Sequence, residues 1–131
     1  MSPKLILHIG HGKTGTSCIQ SALTLNGHNL EKHGIHYPNN GSFSLAIDTR
    51  TTSGNRDIIF NPKFKVTGTT LLSDEGFCTN LANEDRFKHF VLRHNCELEV
   101  ILYTRNVFDM LTSAWGQRIK TGISTLDLDE Y

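Results

Sequence analysis

The apolar run Leu5-Ile6-Leu7-His8-Ile9 opens directly into a glycine-rich segment, Gly10-His11-Gly12-Lys13-Thr14-Gly15-Thr16-Ser17. The run is too short to span a membrane or to form the core of a signal peptide. It is also continuous, without the apolar–polar alternation of a strand that has one wet face. Residues 4–9 therefore read as a strand buried on both faces, the kind found inside a parallel sheet. Parallel strands cannot be joined by hairpins, so helices must alternate with them along the chain.

The rest of the sequence supplies that alternation. From Thr16 onward Ile19, Ala22, Leu23 and Leu30 can share one helix face, with an interruption at Asn26-Gly27 and a stop at Gly34. Residues 69–73 read as a second buried strand. Residues 83–94 read as a helix with Asn83 as its cap, Glu84 and Asp85 at its positive end, and an apolar stripe of Phe87, Phe90, Val91 and His94. A third strand is expected over residues 98–104. Asn106 then caps a last helix that ends near Lys120 and Gly122, with Phe108, Leu111, Trp115 and Ile119 as its core face. Trp115 has an alternative place at the border of a nucleotide pocket. Residues 39–55, rich in Gly, Ser, Thr and Asn, read as a surface loop. The expected fold is a three-layer α/β/α arrangement around a parallel sheet, with a P-loop-like nucleotide-binding core. The 131 residues are the length of one such domain. Ligands of such sheets bind at the carboxyl ends of the strands.

Charge and composition narrow what that ligand can be. Lys plus Arg equals Asp plus Glu at 13 each, so no overall field draws the chain to nucleic acid or to an anionic membrane, and an anion site has to be local. The three cysteines, Cys18, Cys78 and Cys96, form no C-x-x-C pair. They fit a reducing, cytoplasmic setting and read as small buried residues. The seven histidines contain no H-E-x-x-H or other close pair, so no metal site is expected. His8, inside the first strand, reads as a satisfied core residue. His11 is a candidate contact to a bound ligand.

A strand, a glycine-rich turn and a helix converge backbone N–H groups and the positive end of a helix dipole on one point, where a phosphate or sulfate can sit. Gly10, Gly12 and Gly15 permit the close approach. Lys13 adds a mobile positive charge, and Thr14, Thr16 and Ser17 add hydroxyl donors. The nucleoside-triphosphatase loop G-x-x-x-x-G-K-[ST] is in register with Gly10, Gly15 and Ser17. It meets Thr16 where its lysine belongs, and the actual lysine lies three residues earlier. Farther along, Arg105 directly follows the third strand. Ser113 lies eight residues on, about two helical turns, so both can face one crevice with donors for a second anion.

The segment Lys13-Thr14-Gly15-Thr16-Ser17 resembles the loop with which sulfotransferases hold the 5′-phosphosulfate of 3′-phosphoadenosine 5′-phosphosulfate. The wider run over residues 8–38, closing on Gly34-Ile35-His36-Tyr37-Pro38, is similar to bacterial members of that family. Gly12 stands where a proline is usual, and Cys18 where cytosolic members often carry tryptophan. Arg105 through Ser113 resembles the family's R-x7-S segment, which implies that both residues bind the donor's 3′-phosphate. Leu71-Leu72-Ser73-Asp74-Glu75 resembles the S-x-E segment, which implies Glu75 as the base, with Asp74 ranked second.

The resemblance implies a sulfotransferase that moves a sulfuryl group to the hydroxyl or amine of a small-molecule or glycan acceptor. Gly12, Lys13, Thr14, Gly15, Thr16 and Ser17 would hold the donor's 5′ end, and Lys13 and Glu75 would carry the chemistry. The rival readings are a P-loop nucleotide kinase or triphosphatase, in which the acid after the second strand would hold magnesium, and a nucleotide-binding module without turnover. Members of the family extend well past the last helix seen here. The expectation is therefore a chain truncated at its C-terminus, or a site completed by a second subunit in a homo-oligomer.

Overall fold

The structure, a computed structural model, describes residues 2–10, 14–38, 54–79 and 84–122. Four strands form one parallel sheet in the order β2-β3-β1-β4: β1 Lys4–Gly10, β2 Ile35–His36, β3 Thr69–Ser73 and β4 Glu97–Tyr103. The helices between them are α1 Thr16–Leu25, α2 Gly27–Lys32, a 3-10 helix Arg56–Phe60, α3 Gly76–Thr79, α4 Glu84–His94 and α5 Val107–Lys120. The fold is α/β, as the continuous apolar run at the start of the chain requires. No helix among the described residues is long and apolar enough to cross a membrane.

Strand β1 is central because both its edges and both its faces can be covered. It registers Leu7 with Leu72 of β3 on one side and with Val100 of β4 on the other. Its odd-numbered side chains carry the core. Leu5 and Leu7 pack with Leu72, Val66, Ile59 and Phe90, so β3, the 3-10 helix and α4 close one face of the sheet. Phe87, Phe90, Val91 and His94 lie along the inner side of α4, the stripe expected from their spacing. Leu5 and Leu72 are fully buried, and truncating either to alanine removes a contact set worth about 2–5 kcal/mol. The opposite face is more polar. His8 and Gly10 lie on it, and α1 starts over it, because a Cβ built on Gly10 would meet the Thr14 and Thr16 side chains.

Three local signals act as expected. Asn26 separates α1 from α2, Gly34 ends α2 in the left-handed region at φ 72, and the Asn106 side chain accepts the Phe108 N–H at 2.9 Å to start α5. Other details differ. Phe108, at 75% exposed, and Leu111 and Ile119 face solvent, while Met110, Ser113, Ala114 and Trp115 form the half-buried side of α5. The reason lies in β4, an edge strand in which every residue is exposed. Among the described residues no further strand lies beside it to receive the broader apolar face of α5. Cys18 is exposed on the outer side of α1, and Cys78 and Cys96 are half-buried, so none of the cysteines is a fully buried packing residue.

Of the expected surface loop, residues 39–53 lie outside the described residues, and its end is not on the surface. Asn55 is 3% exposed and stands in for a strand neighbour where β2 stops. Its N–H donates to Ser73 O at 3.1 Å, its side-chain oxygen accepts the Ser73 N–H at 2.8 Å, and its amide donates to Pro38 O at 3.0 Å. Replacing Asn55 with alanine leaves the Ser73 N–H buried without an acceptor, a cost of about 2 kcal/mol. Urea unfolding of Asn55→Ala should show a lower midpoint at an unchanged slope. An unchanged midpoint would remove Asn55 from this account.

Candidate functional site

Parallel pairing brings the carboxyl ends of β3, β1 and β4 to one edge of the sheet. His8 is level with Ser73, and Gly10 is level with Tyr103. The segments that follow these strands therefore start side by side: the glycine-rich turn after β1, Asp74-Glu75 after β3, and Thr104-Arg105 after β4. Gly10 sits where they meet. A Cβ there would lie 2.9 Å from Thr14 Oγ1, 3.1 Å from Thr16 Cγ2 and 3.1 Å from the Tyr103 carbonyl oxygen, so glycine lets Thr14 and Thr16 approach the strand end closely.

Gly15 precedes α1 in the left-handed conformation, φ 84 and ψ 10, and offers no side chain to cap the helix. The amino end of α1 is thus entered by a glycine turn and lined by threonine hydroxyls, a surface suited to an anion. Thr16, at 1% exposed, is turned inward, and its hydroxyl donates to a carboxylate oxygen of Glu75 from β3's far end. Two residues singled out separately in the sequence, 59 positions apart, are in direct contact. Ser17 is exposed on the first turn of α1, and its carbonyl accepts the Ser21 hydroxyl at 2.9 Å. His11, Gly12 and Lys13 lie outside the described residues.

The two acidic candidates after β3 are separated by what they touch. The Asp74 carboxylate accepts the Gly76 N–H at 2.6 Å and lies 4.0 Å from the Arg56 guanidinium. Burial pushes its pKa up, against the opposing pull of the Gly76 N–H and of Arg56. A Cβ on Gly76 would collide with the Arg56 guanidinium, so glycine is required for this packing too. Asp74 is therefore engaged in holding the turn, while Glu75 meets the Thr16 hydroxyl.

Arg105 lies in the turn between β4 and α5, two residues past Tyr103, at the same edge of the sheet as the loop. Ser113 is on the half-buried side of α5. The fold places Arg105 one strand away from the Thr16–Glu75 contact, with Ser113 on the helix that its turn leads into.

His8 is the polar residue on β1 that spacing alone undervalues. It is 4% exposed, its Nδ1 is hydrogen-bonded to Ser73 Oγ at 2.7 Å, and its ring meets Tyr103 edge-on at 4.7 Å. Its Nε2 is buried without a hydrogen-bond partner, so the imidazole is satisfied on one side only. Ser73 entered the sequence reading only as the serine of the S-x-E segment, and Tyr103, Asn55 and Arg56 were not legible as neighbours of the loop end. Its position at a strand end could have marked Tyr103, and nothing in the sequence points to Asn55 and Arg56.

No family model matches the chain, and neither a curated protein nor a solved structure shows significant similarity to it. Functional inference therefore rests on the chemistry of these residues.

Burial holds the His8 pKa below the ordinary 6.5. Below that pH the unfolded chain takes up a proton that the folded protein resists. His8 therefore contributes stability that is present above 6.5 and lost as pH falls through the lower, folded value. Between about pH 7 and about pH 5 the protein should lose more unfolding free energy than its His8→Gln variant. Equal losses in urea unfolding would contradict the buried, neutral imidazole.

Proposed function

We propose that this protein binds 3′-phosphoadenosine 5′-phosphosulfate at the carboxyl edge of its sheet and transfers the sulfuryl group to an acceptor hydroxyl or amine. The observation that carries the reading is the contact between Thr16 and Glu75. It joins an anion-binding helix start to a carboxylate within reach of the same point, and in-line transfer from a bound anionic donor needs both.

In this reading the amino end of α1, with Thr14, Gly15, Thr16 and Ser17, takes the 5′-phosphosulfate. Arg105 and Ser113 take the 3′-phosphate from the β4–α5 side. The acceptor oxygen or nitrogen forms a bond to sulfur as the bond from sulfur to the phosphate oxygen breaks. The electron pair of that bond leaves on 3′-phosphoadenosine 5′-phosphate, and the acceptor proton passes to Glu75. Lys13, assigned from the sequence, neutralises the charge that develops on the leaving phosphate. The acceptor is a small molecule or a glycan, and the cysteine usage supports a cytoplasmic setting.

The nucleoside-triphosphatase alternative fits the contact less well. The hydroxyl that touches the acid comes from Thr16, at that motif's lysine position, whereas Ser17, in register with its metal-holding hydroxyl, is exposed.

Calorimetry with 3′-phosphoadenosine 5′-phosphate tests the reading. Binding is expected without magnesium, and Arg105→Ala should weaken it by about ten- to a hundredfold, the loss of a charge-assisted contact. Magnesium-dependent preference for ATP would favour the kinase or triphosphatase. Binding unchanged by Arg105→Ala would overturn the 3′-phosphate assignment.

A further inference from the structure

We propose that the groove between the 3-10 helix and α4 is a binding site in its own right, one that takes a small aromatic carboxylate. It is lined by Ile59 and Phe60 from the 3-10 helix and by His89, Phe90 and Arg93 from α4, and its volume is about 420 Å³. That lies in the lower part of the range of small-molecule sites. The inference goes beyond the sulfuryl-transfer reading and does not depend on it, because the 3-10 helix and α4 cover the face of the sheet opposite to that of α1.

The floor of the groove is apolar and fixed by packing. Ile59 and Phe90 are almost fully buried and belong to the core that Leu5, Leu7 and Leu72 form. Phe64 stacks on the Phe90 ring at 6.3 Å, with 12° between the planes, and His94 lies against the same ring at 4.3 Å. Phe60 is exposed as one wall. A ring laid in the groove gains from edge-on or offset contact with phenyl rings, beyond the area that it buries.

The other wall carries the charge. His89 and Arg93 are four residues apart, hence neighbours on one side of α4, and both are exposed. The Arg93 guanidinium lies over the Phe90 ring, 5.8 Å from its centroid. That contact holds the charge at the lip of the groove but supplies no oxygen to accept its N–H donors. Among the described residues no carboxylate pairs with Arg93, and the acid of the 3-10 helix, Asp57, lies 3.8 Å from Arg56 instead.

A planar guanidinium set beside an apolar floor matches a carboxylate, which its fork can bind through two parallel hydrogen bonds. His89 adds a ring N–H donor one turn away. A neutral apolar ligand would fill the groove and leave the guanidinium without an acceptor. A bare anion would meet the guanidinium and leave the floor wet. A ring joined by a short chain to a carboxylate satisfies both.

The probe is 3-phenylpropionate, and its amide, 3-phenylpropanamide, is the control of nearly equal size without the charge. Amide chemical-shift mapping of the whole chain with the acid should give saturable shifts on Ile59, Phe60, His89, Phe90 and Arg93. The amide should bind at least about tenfold more weakly, the loss of one charge-assisted contact. Arg93→Gln, on the surface of α4, should weaken the acid by about the same factor and leave the amide unchanged. The comparison of acid with amide needs no variant.

Equal affinity for acid and amide would mark an apolar groove without charge recognition and overturn the inference, as would acid binding unchanged by Arg93→Gln. Shifts on the lining residues that grow with protein concentration alone would give the groove to a second copy of the chain, and would overturn it too. So would the absence of any saturable shift there up to the solubility of the acid. None of these outcomes bears on the carboxyl edge, which titration with 3′-phosphoadenosine 5′-phosphate reports separately.

Discussion

Parallel registry of β1 with β3 and β4 is the constraint from which the site follows. Strands that run the same way end at the same edge, so the segments after them are neighbours whatever their distance in sequence. With β1 between β3 and β4, the end of β1 at Gly10 has the segment of Asp74-Glu75 on one side and that of Arg105 on the other. Leu5, Leu7 and Leu72 hold that arrangement from one face of the sheet. His8 bridges Ser73 and Tyr103 near the carboxyl ends of the three strands.

Two neighbouring carboxylates come to differ through this packing. Asn55 pairs with Ser73 as a strand would and so fixes the start of the 3-10 helix beside β3. Arg56 then lies against Asp74 and Gly76, and Asp74 turns toward it. Glu75 is left in contact with Thr16. The division between a carboxylate that braces a turn and one that meets Thr16 thus follows from packing around an uncharged residue 20 positions before Glu75.

The elements with a strong period were legible in the sequence. Strand β1, strand β3 and helix α4 have continuous or 3.6-residue apolar patterns, and Asn106 and Gly34 mark the start of α5 and the end of α2 by backbone chemistry that acts locally. What escaped depends on contacts at long range or on segments too short to show a period. Strand β2 has two residues and, among the described residues, pairs with Thr69 and Thr70, and the 3-10 helix spans five. Burial of Asn55 is set by where β2 stops. The face that α5 presents follows from what lies beside β4, so the sequence of the helix alone pointed to the wrong stripe. The meeting of Thr16 with Glu75 was likewise invisible: both residues could be singled out, but only strand order makes them neighbours.

The central claim is that the carboxyl edge between β3, β1 and β4 is the ligand surface. Amide chemical-shift mapping during titration with 3′-phosphoadenosine 5′-phosphate tests it most directly. The account predicts that the large shifts fall on Gly10, Gly15, Thr16, Ser17, Glu75, Arg105 and Asn106. Shifts centred instead on the groove lined by Ile59, Phe60, His89, Phe90 and Arg93, on the far side of the core, would contradict it.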